Sequence, residues 1–155
     1  MSDGESAHSA AHDAAIHSRL KDLFNQQTEQ FRNYLTVLEK QQAAIESGGG
    51  EAVLAYIEIA ERIAADIIAV QRVIDPLETA AQASADAADD SAARKAALED
   101  LKNQAAAQAE YNRNLLAGRM ADIGDQIASL RNNPLAAAAR RTLLAGTASL
   151  VDIEG

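Results

Sequence analysis

A chain of 155 residues with a net charge of −9 and no cysteine has the length of one domain and holds neither disulfides nor thiolate chemistry. It is 48% hydrophobic but only 3% aromatic; much of the apolar share is alanine, which favours helix while burying little surface. Two prolines and no alternating strand pattern argue against a sheet, and the acidic balance counts against nucleic acid and anionic membrane surfaces as partners.

The opening stretch MSDGESAHSAAHDAA lacks the basic and apolar regions of a secretory signal. No apolar run approaches the roughly 18 residues that cross a bilayer. The expectation is a cytoplasmic protein without stable membrane insertion. Residues 1–12 are small and polar and read as a disordered tail. A first helix is expected over residues 13–47, where Phe24, Phe31, Leu38 and Ile45 recur every seven residues with Leu20, Leu23 and Leu35 beside them. Thr28 and Gln42 interrupt that seam. Gly48, Gly49 and Gly50 stop the helix, since glycine reaches the positive φ that a helix end requires.

A second helix is expected over residues 51–79, and it carries the most regular feature of the chain. Tyr56, Ala60, Ile63, Ile67, Val70, Ile74 and Leu77 follow one another at alternating spacings of four and three. Such a series keeps one side of a helix continuously apolar and must be covered by other helices. Asp75-Pro76 should kink or end this helix, because proline lacks the amide and crowds the preceding turn. Residues 80–91 are polar and alanine-rich and read as a connection. A third helix follows over residues 91–131. Its apolar set is Leu98, Leu101, Ala105, Ala109, Leu115, Leu116, Met120, Ile123, Ile127 and Leu130, with Asn112 and Asn114 where larger apolar residues would be expected. Gly118 and Gly124 weaken its second half by about 1 kcal/mol each relative to alanine. Asn132-Asn133-Pro134 ends it. Residues 132–155 read as a mobile, partner-binding segment with a short helical piece, a break at Gly146 and a final apolar cluster.

The fold class implied is all-α: an elongated antiparallel bundle of three long helices (13–47, 51–79, 91–131) with coiled-coil-like packing, plus a short C-terminal helical segment. Chemistry finds little support. His8 and His12 stand at i,i+4 beside Asp13, a spacing that could hold a metal on a formed helix, but no second cluster completes a site. The carboxylates are spread over outer faces, and the three glycines lack a phosphate loop's lysine. No enzyme, metal or cofactor is expected. Apolar surface remains. Leu135, Leu143, Leu144, Leu150, Val151 and Ile153 either fold back to complete the bundle or order on a partner's amphipathic helix, with Arg140 and Arg141 pairing to an acidic partner edge.

The segments YLTVLEKQQAAIESGG, EAVLAYIEIAERIAADIIAVQRVIDPLE and YNRNLLAGRMADIGDQIASLRN together resemble the FlgN family of flagellar export chaperones, as does the ending GTASLVDIEG. The resemblance implies a cytoplasmic protein that binds the C-terminal helices of the hook-filament junction proteins FlgK and FlgL. It would keep them unassembled and deliver them to the type III export apparatus. The family's substrate-binding region corresponds to the second half of the third helix and the residues after Pro134. That places Leu116, Met120, Ile123, Ile127, Leu130, Leu135, Arg140, Arg141, Leu143, Leu144, Leu150, Val151 and Ile153 in the expected contact set. No nucleic acid is expected, and the chain would be a monomer or weak homodimer. The alternative is a structural coiled-coil or adaptor protein that self-associates through its apolar stripes.

Overall fold

Alanine-rich sequence with apolar residues at helical spacing gives helix over nearly all of the described residues. The computed structural model describes residues 2–83 and 88–132, with Leu135, Ala138 and Arg141 beyond them. Among the described residues there are three long helices and no strand: α1 (Ser2–Ser47), α2 (Gly50–Gln82) and α3 (Ala88–Asn132). The chain forms two compact units, Met1–Arg113 and Asn114–Gly155.

In the first unit the regular stripe of α2 faces inward. Ala60, Ile67, Val70 and Ile74 are buried, and Tyr56, Ile63 and Leu77 are partly so. Opposite them lie Leu20, Leu23, Phe24, Leu38 and Ile45 of α1. The densest contact joins Leu20, Leu23, Phe24, Val70, Ile74 and Leu98, with Ile16, Phe31, Leu77 and Ala81 packed against it. The turn between α1 and α2 is a Schellman closure. Gly49 N–H donates to the Ala44 carbonyl at 3.1 Å and Gly48 N–H to that of Ile45 at 3.2 Å. Gly48 has φ +77°, a conformation that side-chain-bearing residues rarely adopt.

Side-chain contacts give the helix directions. Gln27 Nε2 donates to Gln71 Oε1 at 2.7 Å, so α1 and α2 run antiparallel from the turn. Arg94 reaches Asn25, Lys102 sits over the Phe31 ring at 5.9 Å, and Asn112 reaches Leu38. Positions therefore rise together along α1 and α3, which are parallel, while Lys95 pairs with Glu78 of α2 at 2.6 Å. The unit is an up-down-up bundle.

Three boundaries differ from expectation. The first helix begins at Ser2 and not near residue 13. Residues 2–12 are all exposed, so helix propensity alone suffices there, helped by Asp3 and Glu5 at the positive end of the helix dipole. α2 runs through Pro76 to Gln82. Pro76 lies exposed on the outer side, as does Arg72 one turn earlier, so water can replace the hydrogen bond that proline forgoes. α3 begins at Ala88, which makes the connection shorter than residues 80–91. The segment 132–155 falls outside the described residues except for Asn132, which ends α3, and Leu135, Ala138 and Arg141, which are helical.

Ile74 is fully buried at the centre of the core. Ile74→Ala should lower stability by about 2–5 kcal/mol through lost contact and a residual cavity. Thermal unfolding followed by circular dichroism reads this directly.

Candidate docking face on the third helix

Every seventh residue of α3 enters the core, at Leu98, Ala105 and Asn112. The side chain shrinks and then turns polar along that line. Asn112 is only 2% exposed, yet its amide is fully used. Nδ2 donates to the Leu38 carbonyl at 2.7 Å and to Gln41 Oε1 at 2.9 Å, and Oδ1 accepts from Gln108 Nε2 at 2.9 Å. Gln108 Nε2 also donates to Gln42 Oε1 at 2.7 Å. Gln42, which breaks the seam of the first helix, is thus joined through Gln108 to Asn112, which breaks that of the third. Such a layer contributes where every group is satisfied and costs where one is lost. Asn112→Ala should therefore cost about 1–3 kcal/mol, measurable as a shift in the denaturation midpoint with an unchanged slope.

The same seven-residue line continues in sequence as Arg119 and Gln126, both exposed, so beyond Asn112 it is no longer a core line. The second unit carries a stripe of its own. Leu116, Met120, Ile123, Ile127 and Leu130 repeat the four-three spacing of α2. Leu116 is half-buried, but Met120 is 65% exposed, Ile123 55%, Ile127 53% and Leu130 57%. Ala117, Ala121, Gly124 and Ala128 form a strip of small residues beside it. At about 100° per residue, Arg119 falls on one flank of the large stripe and Arg131 on the other, while Asp122 and Asp125 fall towards the far side. A Cβ at Gly118 or Gly124 would meet nothing within 4 Å. Gly118→Ala should accordingly raise the stability of this half of α3 by about 1 kcal/mol, seen as slower amide exchange over the flanking residues.

Exposed apolar residues elsewhere differ in arrangement. Leu54, Ile59, Ile68 and Val73 of α2 are exposed but irregularly spaced, with Glu58, Glu61, Asp66 and Arg72 among them. Scattered residues of this kind are ordinary surface. Among the described residues no group of three His, Cys, Asp or Glu side chains could hold a metal ion. His8 and His12 are both exposed on α1. None of the described helices is long and apolar enough to cross a membrane.

Of the residues expected to contact a partner, Leu116, Met120, Ile123, Ile127 and Leu130 share one face of α3. Leu135 is 80% exposed and Arg141 is exposed. Arg140, Leu143, Leu144, Leu150, Val151 and Ile153 lie outside the described residues. The sequence reading missed Arg119, Arg131 and the small-residue strip. Charge taken by segment would have found the arginines. Residues 1–113 hold ten basic and nineteen acidic side chains, the whole of the −9. Residues 114–155 are balanced, four arginines against four acids: 114–141 carries +2 and 142–155 carries −2.

A family model, PriC: Primosomal replication protein priC, matches residues 6–141. An "Uncharacterized protein" of Treponema pallidum (strain Nichols) is 35% identical over 113 residues, covering 73% of this chain and 73% of that protein. No solved structure matches. The family match overturns the flagellar chaperone resemblance, and with it the hook-filament junction proteins and the export apparatus as partners. Helical hairpins with four-three stripes serve many unrelated bundles, so the pattern that carried the resemblance does not discriminate between families. The exclusion of nucleic acid is overturned too, since the matching family is one of replication proteins. The acidic total belongs to one unit and says nothing of the other.

Proposed function

This chain belongs to the PriC family of primosomal replication proteins, and we propose that it acts in replication priming as a binding factor in the cytoplasm, not as an enzyme. Its working surface is the stripe of Met120, Ile123, Ile127 and Leu130 on α3. The occupant is an acidic amphipathic segment of another primosome component. One observation carries this reading: a regular apolar stripe stands more than half exposed on a segment where arginines outnumber acids.

Magnitudes fit a reversible contact. Full burial of such a side chain is worth about 1.5–3 kcal/mol, so covering the exposed half of four of them yields about 3–6 kcal/mol. Association itself costs at least about 4 kcal/mol. Apolar contact alone therefore leaves little surplus, and charge pairing at Arg119 and Arg131 must supply orientation and encounter rate. A contact of this strength lets a priming factor release its partner.

A second reading is direct contact with single-stranded DNA, favoured by four arginines within residues 114–141. It predicts affinity for oligonucleotides that falls with salt, by a slope of about −0.7 for each phosphate neutralised.

The deciding experiment is primosome assembly on forked DNA from purified components, with wild type and the double variant Ile123→Asp, Ile127→Asp. Both positions are exposed, so the variant should melt within about 0.5 kcal/mol of wild type. Assembly should fall at least about tenfold, the loss expected from removing about 1.4 kcal/mol of contact. Undiminished assembly would exclude this face, and an oligonucleotide affinity reduced in parallel would move the site to DNA.

A further inference from the structure

We infer that Met120 is a reversible oxidation site, at which a hydroperoxide turns the α3 face from binding to non-binding. The inference rests on the primosomal reading of that face and adds its regulation. Sulfur content is the first argument. The sequence holds no cysteine and two methionines, Met1 and Met120. Cysteine and methionine are the side chains that climb an oxidation ladder, so Met120 is the one internal residue of this sequence open to that chemistry.

Placement is the second argument. Among the described residues the buried hydrophobic core holds Leu, Ile, Val, Phe and Ala and no methionine. The common structural use of methionine, filling irregular gaps in a core, therefore does not account for this one. Met120 stands instead among Leu116, Ile123, Ile127 and Leu130, aliphatic side chains without an oxidisable sulfur. At 65% it is the most exposed of that set. A long helical side chain leans back over the turn before its own residue, which for Met120 means Leu116 and Ala117. Ala117 ends at its Cβ and Gly118 has no side chain, so the helix itself offers the sulfur little cover.

The chemistry is the third argument. A lone pair on the Met120 sulfur attacks one oxygen of hydrogen peroxide. The S–O bond forms as the O–O bond breaks, a proton passes from the transferred oxygen to the departing one, and water leaves. Sulfur loses two electrons and the peroxide gains them. Sulfoxide reductases reverse the change, with two thiols supplying the electrons and the oxygen leaving as water. The sulfoxide is a strong dipole where the partner's apolar side had met a thioether. Burying it unpaired carries the penalty of any desolvated polar group, and the reversible contact derived above has little surplus to absorb it. The core residues lie in the first unit, so its thermal unfolding stays unchanged.

Purified wild type, Met120→Leu and Met120→Gln are each treated with hydrogen peroxide, cleared of it with catalase, and compared with their own untreated samples in primosome assembly on forked DNA. Peptide mass spectrometry counts the oxygen gained at Met120. Treated wild type should carry a single added oxygen there and assemble at least about tenfold less well. It should recover with thiol and sulfoxide reductases of both stereospecificities. Met120→Leu should assemble equally before and after treatment, whatever happens at Met1, and Met120→Gln should already be weakened without peroxide. Oxidised wild type that assembles normally overturns the inference. So does an equal loss on treating Met120→Leu, or a Met120 that peroxide leaves unmodified. The Ile123→Asp, Ile127→Asp variant separates the two readings. Weak assembly by that variant beside full assembly by oxidised wild type rejects the switch and keeps the face. Full assembly by both rejects the face, and the switch with it.

Discussion

Burial of one continuous apolar line on α2 is the constraint from which the rest follows. Ala60, Ile67, Val70 and Ile74 are covered along their length, and a helix so striped is unstable until something covers it. Three glycines supply the nearest cover, because the reversal at Gly48 brings α1 back along the same helix. Once that pair is formed, α3 needs to provide only Leu98, Ala105 and a handful of polar contacts. That accounts for how little large apolar content its first half carries.

The second unit inverts this economy. Its stripe has the spacing of α2's, yet its large residues lie mostly in the open. Two glycines weaken the helix that displays them, although nothing within 4 Å of their Cβ positions requires their small size. Exposed apolar surface and low local stability together suit a segment that is completed by contact. A family defined by replication priming gives such a segment a reason to exist, since priming depends on assemblies that form and come apart.

The fold was legible in the sequence because its determinants are local and periodic. The seven-member stripe from Tyr56 to Leu77, the triple glycine and the apolar positions of α1 each point to one arrangement. The misread boundaries were those where the solvent side decides. Pro76 is tolerated because its missing hydrogen bond faces water, and residues 2–12 are helical by propensity without any core to fix them. Asn112 looked like a defect in α3, since nothing in its own neighbourhood shows that Leu38 and Gln41, more than seventy residues away, will accept from its amide. The face of α3 was legible as apolar residues, but its function was not. A four-three stripe records that a helix will be covered and leaves unstated by what, and a charge summed over both units hid the arginines beside it.

The hydrogen bonds of Asn112 also act as a register key. A slip of α3 along α1 by one heptad would already take Leu98 out of the core cluster, and Asn112 adds a polar penalty to that loss. A slip in one direction would bring Ala105 to Leu38 and Gln41, and Gln41 Oε1 would lose the Asn112 donor. A slip in the other would bring Arg119, placing a guanidinium in a nearly dry site with no carboxylate among the side chains that line it. Either error carries the penalty of a buried unpaired polar or charged group. Asn112 thereby reinforces, through hydrogen bonding, the alignment that Leu98 sets by volume.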